Sequence, residues 1–282
     1  MGALSDLRSE AGAELEELEL DLLLEALVRR YGFDYRLHER DALKRKLYAL
    51  MHRRGLATLS SLQDRVLHDP ATASALLRAL SVPPATLFDD PQEALQLRGL
   101  LDACLRGAAL PRVWLADCAG AEQAWTLAVL LEEEGLLAQT EIHATVGSDE
   151  LLAEAAACRI PVERLAQCQR LYEYAGGTAS LSAHFQIEDG HAVLLPQLSS
   201  RISWAQYNLV TDASFNEFQL IVCRRALPDF GPLLRQRVLR LFHASLAPLG
   251  ILGLDRPLAS DDAHARHYQQ LLPQQAWYKR IA

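Results

Sequence analysis

The chain has 282 residues, half of them hydrophobic and 23% charged, with a formal net charge of −8. That is the composition of one large or two modest folded domains, and the acidic balance argues against a general nucleic-acid binder. No apolar run reaches the roughly 18 residues that would cross a bilayer, and the first ten residues lack the basic-then-apolar order of a signal peptide, so a cytoplasmic protein without membrane insertion is expected.

Five cysteines (Cys104, Cys118, Cys158, Cys168, Cys223) form no CxxC pair. They read as reduced thiols rather than a zinc site or a disulfide framework. Charge is unevenly spread. Met1 to Tyr35 is strongly acidic, whereas Arg36 to Gly55 holds Arg36, Arg40, Lys44, Arg45, Lys46, Arg53 and Arg54 against Glu39 and Asp41.

The first hundred residues predict helices. Leu15 to Arg30 carries apolar residues along one side, and Gly32 follows as a stop signal. Leu37 to Arg54 places Leu43, Leu47, Leu50 and Met51 on a core-facing side. Its basic positions Arg40, Lys44, Arg45, Lys46 and Arg53 mark either a solvated surface or a partner-binding one. Ser60–Leu67 and Ala71–Leu80 read as two further helices. "SVPPATLFDDP", residues 81–91, is a linker stiffened by three prolines, and a helix over Gln92–Arg106 follows.

From Leu110 strands and helices alternate. Arg112–Ala116, Glu141–Val146, Ile202–Gln206, Phe218–Cys223 and Gly250–Leu254 read as strands, and Glu122–Glu134, Asp149–Ala157 and Gly231–Leu246 as helices. This rhythm implies an α/β domain with a mostly parallel, doubly wound sheet. Within residues 169–200, Asp189-Gly190 between two short runs signals a hairpin and hence a small antiparallel β-insertion.

Several stretches, taken in order, resemble the CheR family of protein-glutamate methyltransferases, which act on chemoreceptors with S-adenosylmethionine. They are "YGFDYRLHERDALKRKLYALMHRRG", "LFDDP", "VWLADCAGAEQAWTLAVLL", "NLV", "FQLIVCRRALPDF" and "LAPLGILGL". The resemblance implies an N-terminal helical domain over residues 1–80, a linker over 81–91, and a Rossmann-like class I methyltransferase domain over 92–282 carrying the β-insertion. In the family, the helix matching Leu37–Arg54 approaches the receptor.

Positions that would carry chemistry depart from the family pattern. The linker resembles NVTSFFRD but has Pro83, Ala85 and Asp89 where the family has asparagine, threonine and arginine. The Asp89 change reverses a charge, so a like charge beside a carboxylate is expected there. The cofactor loop resembles SAGCSTGEEPYSLA, with Asp117 and Ala121 in place of two glycines that let backbone N–H groups close around a carboxylate. Val146 replaces the aspartate of ATDID, which accepts from ribose hydroxyls. Leaving those hydroxyls unpaired would cost about 1–3 kcal/mol each. In "VCRRALPDF", resembling FCRNVLIYF, Arg225 replaces asparagine and Asp229 replaces tyrosine, and a cation at Arg225 suits a sulfonium poorly.

Cys118, Glu122, Asn208 and Leu209 match the family and are the surviving cofactor-side positions. Glu122 also reads as an acid placed well at a helix start, and Cys118 and Cys223 as small core residues. "DDAHARH" reads as a polar C-terminal loop, with no metal site expected. Fold-building positions are kept while binding positions are replaced. The leading expectation is a protein-binding or regulatory homologue in a bacterial chemosensory or related system, with no catalytic residues. It would bind no cofactor, or S-adenosylmethionine if the ancestral site survives. A divergent but active methyltransferase, and a pocket turned to another ligand, such as an anion at Arg224 and Arg225, stay open.

Overall fold

The computed structural model describes residues 2–214 and 216–281. The chain divides into two compact units, Met1–Ser81 with Pro228–Arg235, and Val82–Leu227 with Gln236–Ala282.

The first unit is helical. Helices α1 (Gly2–Tyr31), α2 (Arg40–Arg54), α3 (Leu59–His68) and α4 (Pro70–Leu80) follow one another. The starts of α3 and α4 are chemically marked. Thr58 caps α3 by accepting from the Ser61 N–H, and Asp69 caps α4 by accepting from the Ala71 N–H, with Pro70 in the first turn. Leu20, Leu23, Leu24 and Leu27 of α1 pack with Leu43, Leu47 and Leu50 of α2 and with Leu62, Val66 and Leu76. α1 is longer than the apolar pattern predicts, and Leu15, Leu18 and Leu22 remain more than half exposed. α2 begins at Arg40 rather than Leu37, because the preceding stretch is extended and His38 bridges to Phe230.

The second unit opens with the linker and α5 (Pro91–Leu105), capped by Asp90. Then come β1 (Arg112–Leu115), α6 (Ala121–Glu133), β2 (Glu141–Val146), α7 (Asp149–Ala156), β3 (Ile160–Pro161), α8 (Val162–Tyr174), β4 (Phe185–Glu188), β5 (His191–Leu194), α9 (Pro196–Ser199), β6 (Ile202–Gln206), β7 (Phe218–Cys223), α10 (Pro232–Ser245), β8 (Leu246–Leu254), β9 (Tyr268–Gln270) and β10 (Trp277–Arg280). The first turn of α10 counts with the first unit.

Seven strands form one sheet in the order β6-β2-β1-β7-β8-β10-β9. The first five are parallel, and β10 runs antiparallel to both β8 and β9. The mostly parallel α/β sheet is thus present, with two further C-terminal strands, β9 and β10, too short to show a strand period in the sequence. Strands β4 and β5 form the hairpin expected at Asp189-Gly190. Both turn residues have positive φ (47° and 74°), as a two-residue turn of this kind requires. β3 pairs with β5 to complete a three-stranded antiparallel sheet, and residues 162–174 before it are helical.

Burial explains the strands' apolar runs, since helices cover a parallel sheet on both faces. Trp114 is fully buried and donates from its indole N–H to Thr145 Oγ1 at 2.8 Å, which satisfies its one polar atom. It packs against Tyr207, Phe218 and Phe242.

The order of strands reverses between β1 and β7. In open α/β sheets the crevice outside the carboxyl ends of such strands is where ligands bind. At the other flank, Gly253 of β8 lies against Trp277, and a Cβ at that position would fall 2.3 Å from the indole. Gly253→Ala is expected to destabilise the fold by about 1–3 kcal/mol through overpacking, read as a lower urea midpoint.

Candidate functional site

The crevice is built first by the turn after β1. Ala116 donates its N–H to Val222 O at 2.9 Å, and Cys118 donates to Thr145 O at 2.7 Å. The Ala119 N–H is taken by Gln123 Oε1 at 2.7 Å. Backbone amides that would cradle an anion must point free into the crevice; these three are committed inside the protein. Gly120, at φ 94° and ψ −179°, occupies a conformation essentially restricted to glycine. Asp117 has φ 52°, the left-handed region, at a cost of about 1 kcal/mol. The backbone therefore bends as a glycine would bend, with an aspartate in place. Ala121 begins α6 and is buried.

The linker is sewn onto this turn by its main chain. Ala85, buried, donates to Ala119 O at 2.8 Å. Leu87 donates to Glu122 Oε2 at 3.0 Å, and Phe88 to Thr126 Oγ1 at 3.1 Å. Phe88 also has positive φ, 53°, and its buried ring meets Tyr172 edge-on. Pro83 is exposed. The other oxygen of Glu122 pairs with Arg164 of α8. Glu122 is 8% exposed, and both its oxygens are used by protein groups.

Charged groups complete the rim. Asp89 Oδ2 lies 2.6 Å from Arg225 Nη2. Two replaced positions thus pair with each other, and Asp89 also lies near enough to the Glu93 carboxyl to raise it, the like-charge neighbour expected there. Arg225 has φ 83°, and its N–H donates to Asp255 Oδ2 at 3.0 Å. Arg224 Nε lies 2.9 Å from Glu93 Oε2, Arg224 Nη1 donates to Leu254 O at 2.6 Å, and the guanidinium sits over Trp277. A cavity of about 50 Å³ lies beside these groups, lined among others by Asp89, Glu93, Leu115, Thr126, Val222 and Arg225. That is room for a water or two.

The remaining positions are spread out. Val146 is buried, and its carbonyl accepts from the Tyr207 N–H at 2.9 Å. Asn208 uses its Oδ1 to accept from the Val210 N–H at 2.8 Å, holding a turn, and Leu209 is buried. Burial raises the Cys118 thiol to about 12, so it is no nucleophile at neutral pH. Asp229 belongs to the first unit, where it lies 2.6 Å from Lys46.

The basic helix α2 is largely neutralised. Arg40 pairs with Asp21, and Lys44 pairs with Glu16 and Glu17 of α1. Lys46 also donates to the carbonyls of Leu80 and Ser81. Arg45 and Arg53 are exposed, with no partner among the described residues. Sequence reasoning missed Arg164 and Glu93. Neither sits in a motif, and both act only through partners remote in the chain.

Two predictions follow from the rim. Asp89 and Arg225 are each about one-third exposed, so a double-mutant cycle (Asp89→Ala, Arg225→Ala) is expected to give a coupling of about 0.5–1 kcal/mol, shrinking in high salt. Burial, helped by Asp90 and Asp89, raises the Glu93 carboxyl to about 7 from 4.5, with Arg224 offsetting only part. The folded state then holds this proton more tightly than the unfolded state. Its contribution is full below pH 4.5 and is lost as pH rises through about 7. Unfolding free energy should fall across that window by up to about 3 kcal/mol, and Glu93→Gln should flatten the slope.

Comparison with known proteins places this geometry. Residues 97–257 match the family described as CheR methyltransferase, SAM binding domain. Residues 18–81 match CheR methyltransferase, all-alpha domain. The Cher3 protein of Pseudomonas putida is 32% identical over 265 residues, covering 94% of this chain and 97% of that protein. Chemotaxis protein methyltransferase 1 of Pseudomonas aeruginosa is 26% identical, covering 80% of this chain and 84% of that protein. The chemotaxis protein methyltransferase of Listeria monocytogenes is 24% identical, covering 84% and 89%. With both halves of the chain matched and a relative aligned over nearly its whole length, the chain belongs to the CheR methyltransferase family.

Proposed function

We propose that this protein is a non-catalytic CheR homologue that serves a bacterial chemosensory or related signalling system by binding a protein partner. One observation carries the reading: the groups at the cofactor-side positions are bonded to one another. The N–H groups of Cys118 and Ala119 are committed to Thr145 and Gln123. Both Glu122 oxygens hold protein groups, and Arg225 is tied to Asp89. S-adenosylmethionine fits these residues poorly. Its carboxylate would meet Asp117 at the turn, its ribose would find Val146 rather than an acceptor, and its sulfonium would lie near the Arg225 cation.

Partner binding is supported by the chemotaxis methyltransferases among the relatives and by what remains exposed. Arg45 and Arg53 on α2 offer unpaired positive charge suited to an acidic protein surface such as a chemoreceptor. No helix among the described residues is long and apolar enough to cross a membrane, in keeping with action in the cytoplasm.

Isothermal calorimetry with S-adenosylmethionine and S-adenosylhomocysteine tests the reading. No saturable heat is expected up to millimolar ligand, and no labelled methyl group should reach receptor protein. Micromolar affinity for either compound would overturn it and favour a divergent methyltransferase.

A further inference from the structure

Three imidazoles from two distant stretches meet at the β9 edge of the second unit's sheet. His243 lies in the last turn of α10, while His264 and His267 lie on the short turn that leads into β9. Sequence spacing joined only the last two; the fold adds His243. One ring nitrogen from each lies within 4.8 Å of the others. Nδ1 of His264 and Nδ1 of His267 are 3.3 Å apart. The ring of His243 stacks on that of His264 at 4.0 Å, and its Nδ1 is buried with no hydrogen-bond partner. His264 itself takes the left-handed conformation, φ 59°, uncommon for a residue other than glycine. Such strain persists where the surroundings enforce it.

These distances have a physical reading. Two neutral imidazoles facing each other through ring nitrogens repel unless a proton or a cation lies between them. An N–H hydrogen bond prefers about 2.9–3.0 Å. Nitrogens bound to one zinc ion at 2.0–2.1 Å, in tetrahedral array, lie about 3.3–3.4 Å apart. Beside that pair, the His243 Nδ1 is buried without a hydrogen-bond partner. We propose that His243, His264 and His267 form a three-nitrogen site for a divalent transition-metal ion, zinc above others.

One ring nitrogen of His243 already lies within 4.8 Å of those of His264 and His267, so a small rotation about its soft χ2 torsion would suffice to complete the shell. The nearby Asp262 carboxylate is occupied by the Ala259 N–H. An all-imidazole donor set suits zinc, copper or nickel and not calcium or magnesium. Arg240, Arg266 and Arg280 surround the cluster electrostatically. They weaken a bare dication and favour an anion, such as chloride, hydroxide or phosphate, as the fourth ligand. The metal would tie the end of α10 to the β9 edge, with β8 and β10 separating it from the crevice at β7.

The test uses the full chain without an affinity tag, titrated with zinc chloride in a calorimeter and melted with and without zinc. One ion per chain and a melting temperature raised by a few degrees at saturation are expected. His243→Gln, His264→Asn and His267→Gln should each weaken zinc binding by at least about tenfold, whereas His68→Gln on α3 should not. Circular dichroism of each metal-free variant checks that it is folded. Cobalt(II) supplies a readout independent of the variants: the intense visible bands of a four-coordinate ion are expected. Absence of saturable binding, equal affinity in the three folded variants, or the pale spectrum of six-coordinate cobalt would each overturn the site.

Discussion

One buried carboxylate, that of Glu122, holds the crevice end of the second unit together. It stands at the start of α6 and reaches the linker on one side and Arg164 of α8 on the other. A buried carboxylate is tolerated only when its lone pairs are met by donors. That constraint fixes where the linker lies. With Leu87 held, Phe88 is pressed into a left-handed turn with its ring buried, and Asp89 is delivered to Arg225. The rim of the crevice is thus a chain of consequences that begins at one side chain.

The charges on that rim make sense in pairs and not one at a time. Asp89 alone reads as a reversed charge, and Arg225 alone as an intruding cation. Together they form an ordinary ion pair 2.6 Å apart. Arg224 and Glu93 form a second pair beside it. The acidic first helix and the basic second helix repeat this at larger scale, with Lys44 answered by Glu16 and Glu17. The uneven charge along the chain is therefore spent mainly inside the fold.

Much of this was legible in the residues because the physics was local. The helices expected from Ser60, Ala71 and Gln92 begin one residue earlier, at Leu59, Pro70 and Pro91, each behind a capping side chain. The hairpin at Asp189-Gly190 follows from positive φ, and the parallel strands follow from unbroken apolar runs. What escaped was everything that needs two remote stretches to meet. Glu93 is one acid among many until Arg224 arrives. The partner of Asp89 lies beyond any sequence window, and so does the third histidine beside His264 and His267. β9 was invisible because it is a short, polar edge strand, which is how sheets protect their edges, and β10, only four residues long, lies between β8 and β9 with too short a run to show a period.

Asp117, Arg225 and Phe88 all sit in left-handed backbone geometry without being glycines. None of them would choose that conformation alone, so the surrounding fold imposes it. The shape of the crevice is therefore recorded in dihedral angles rather than in side chains. A record of that kind is robust to substitution: a side chain at any of these three positions can change while the packing and hydrogen bonds around it still hold the main chain in the same turn.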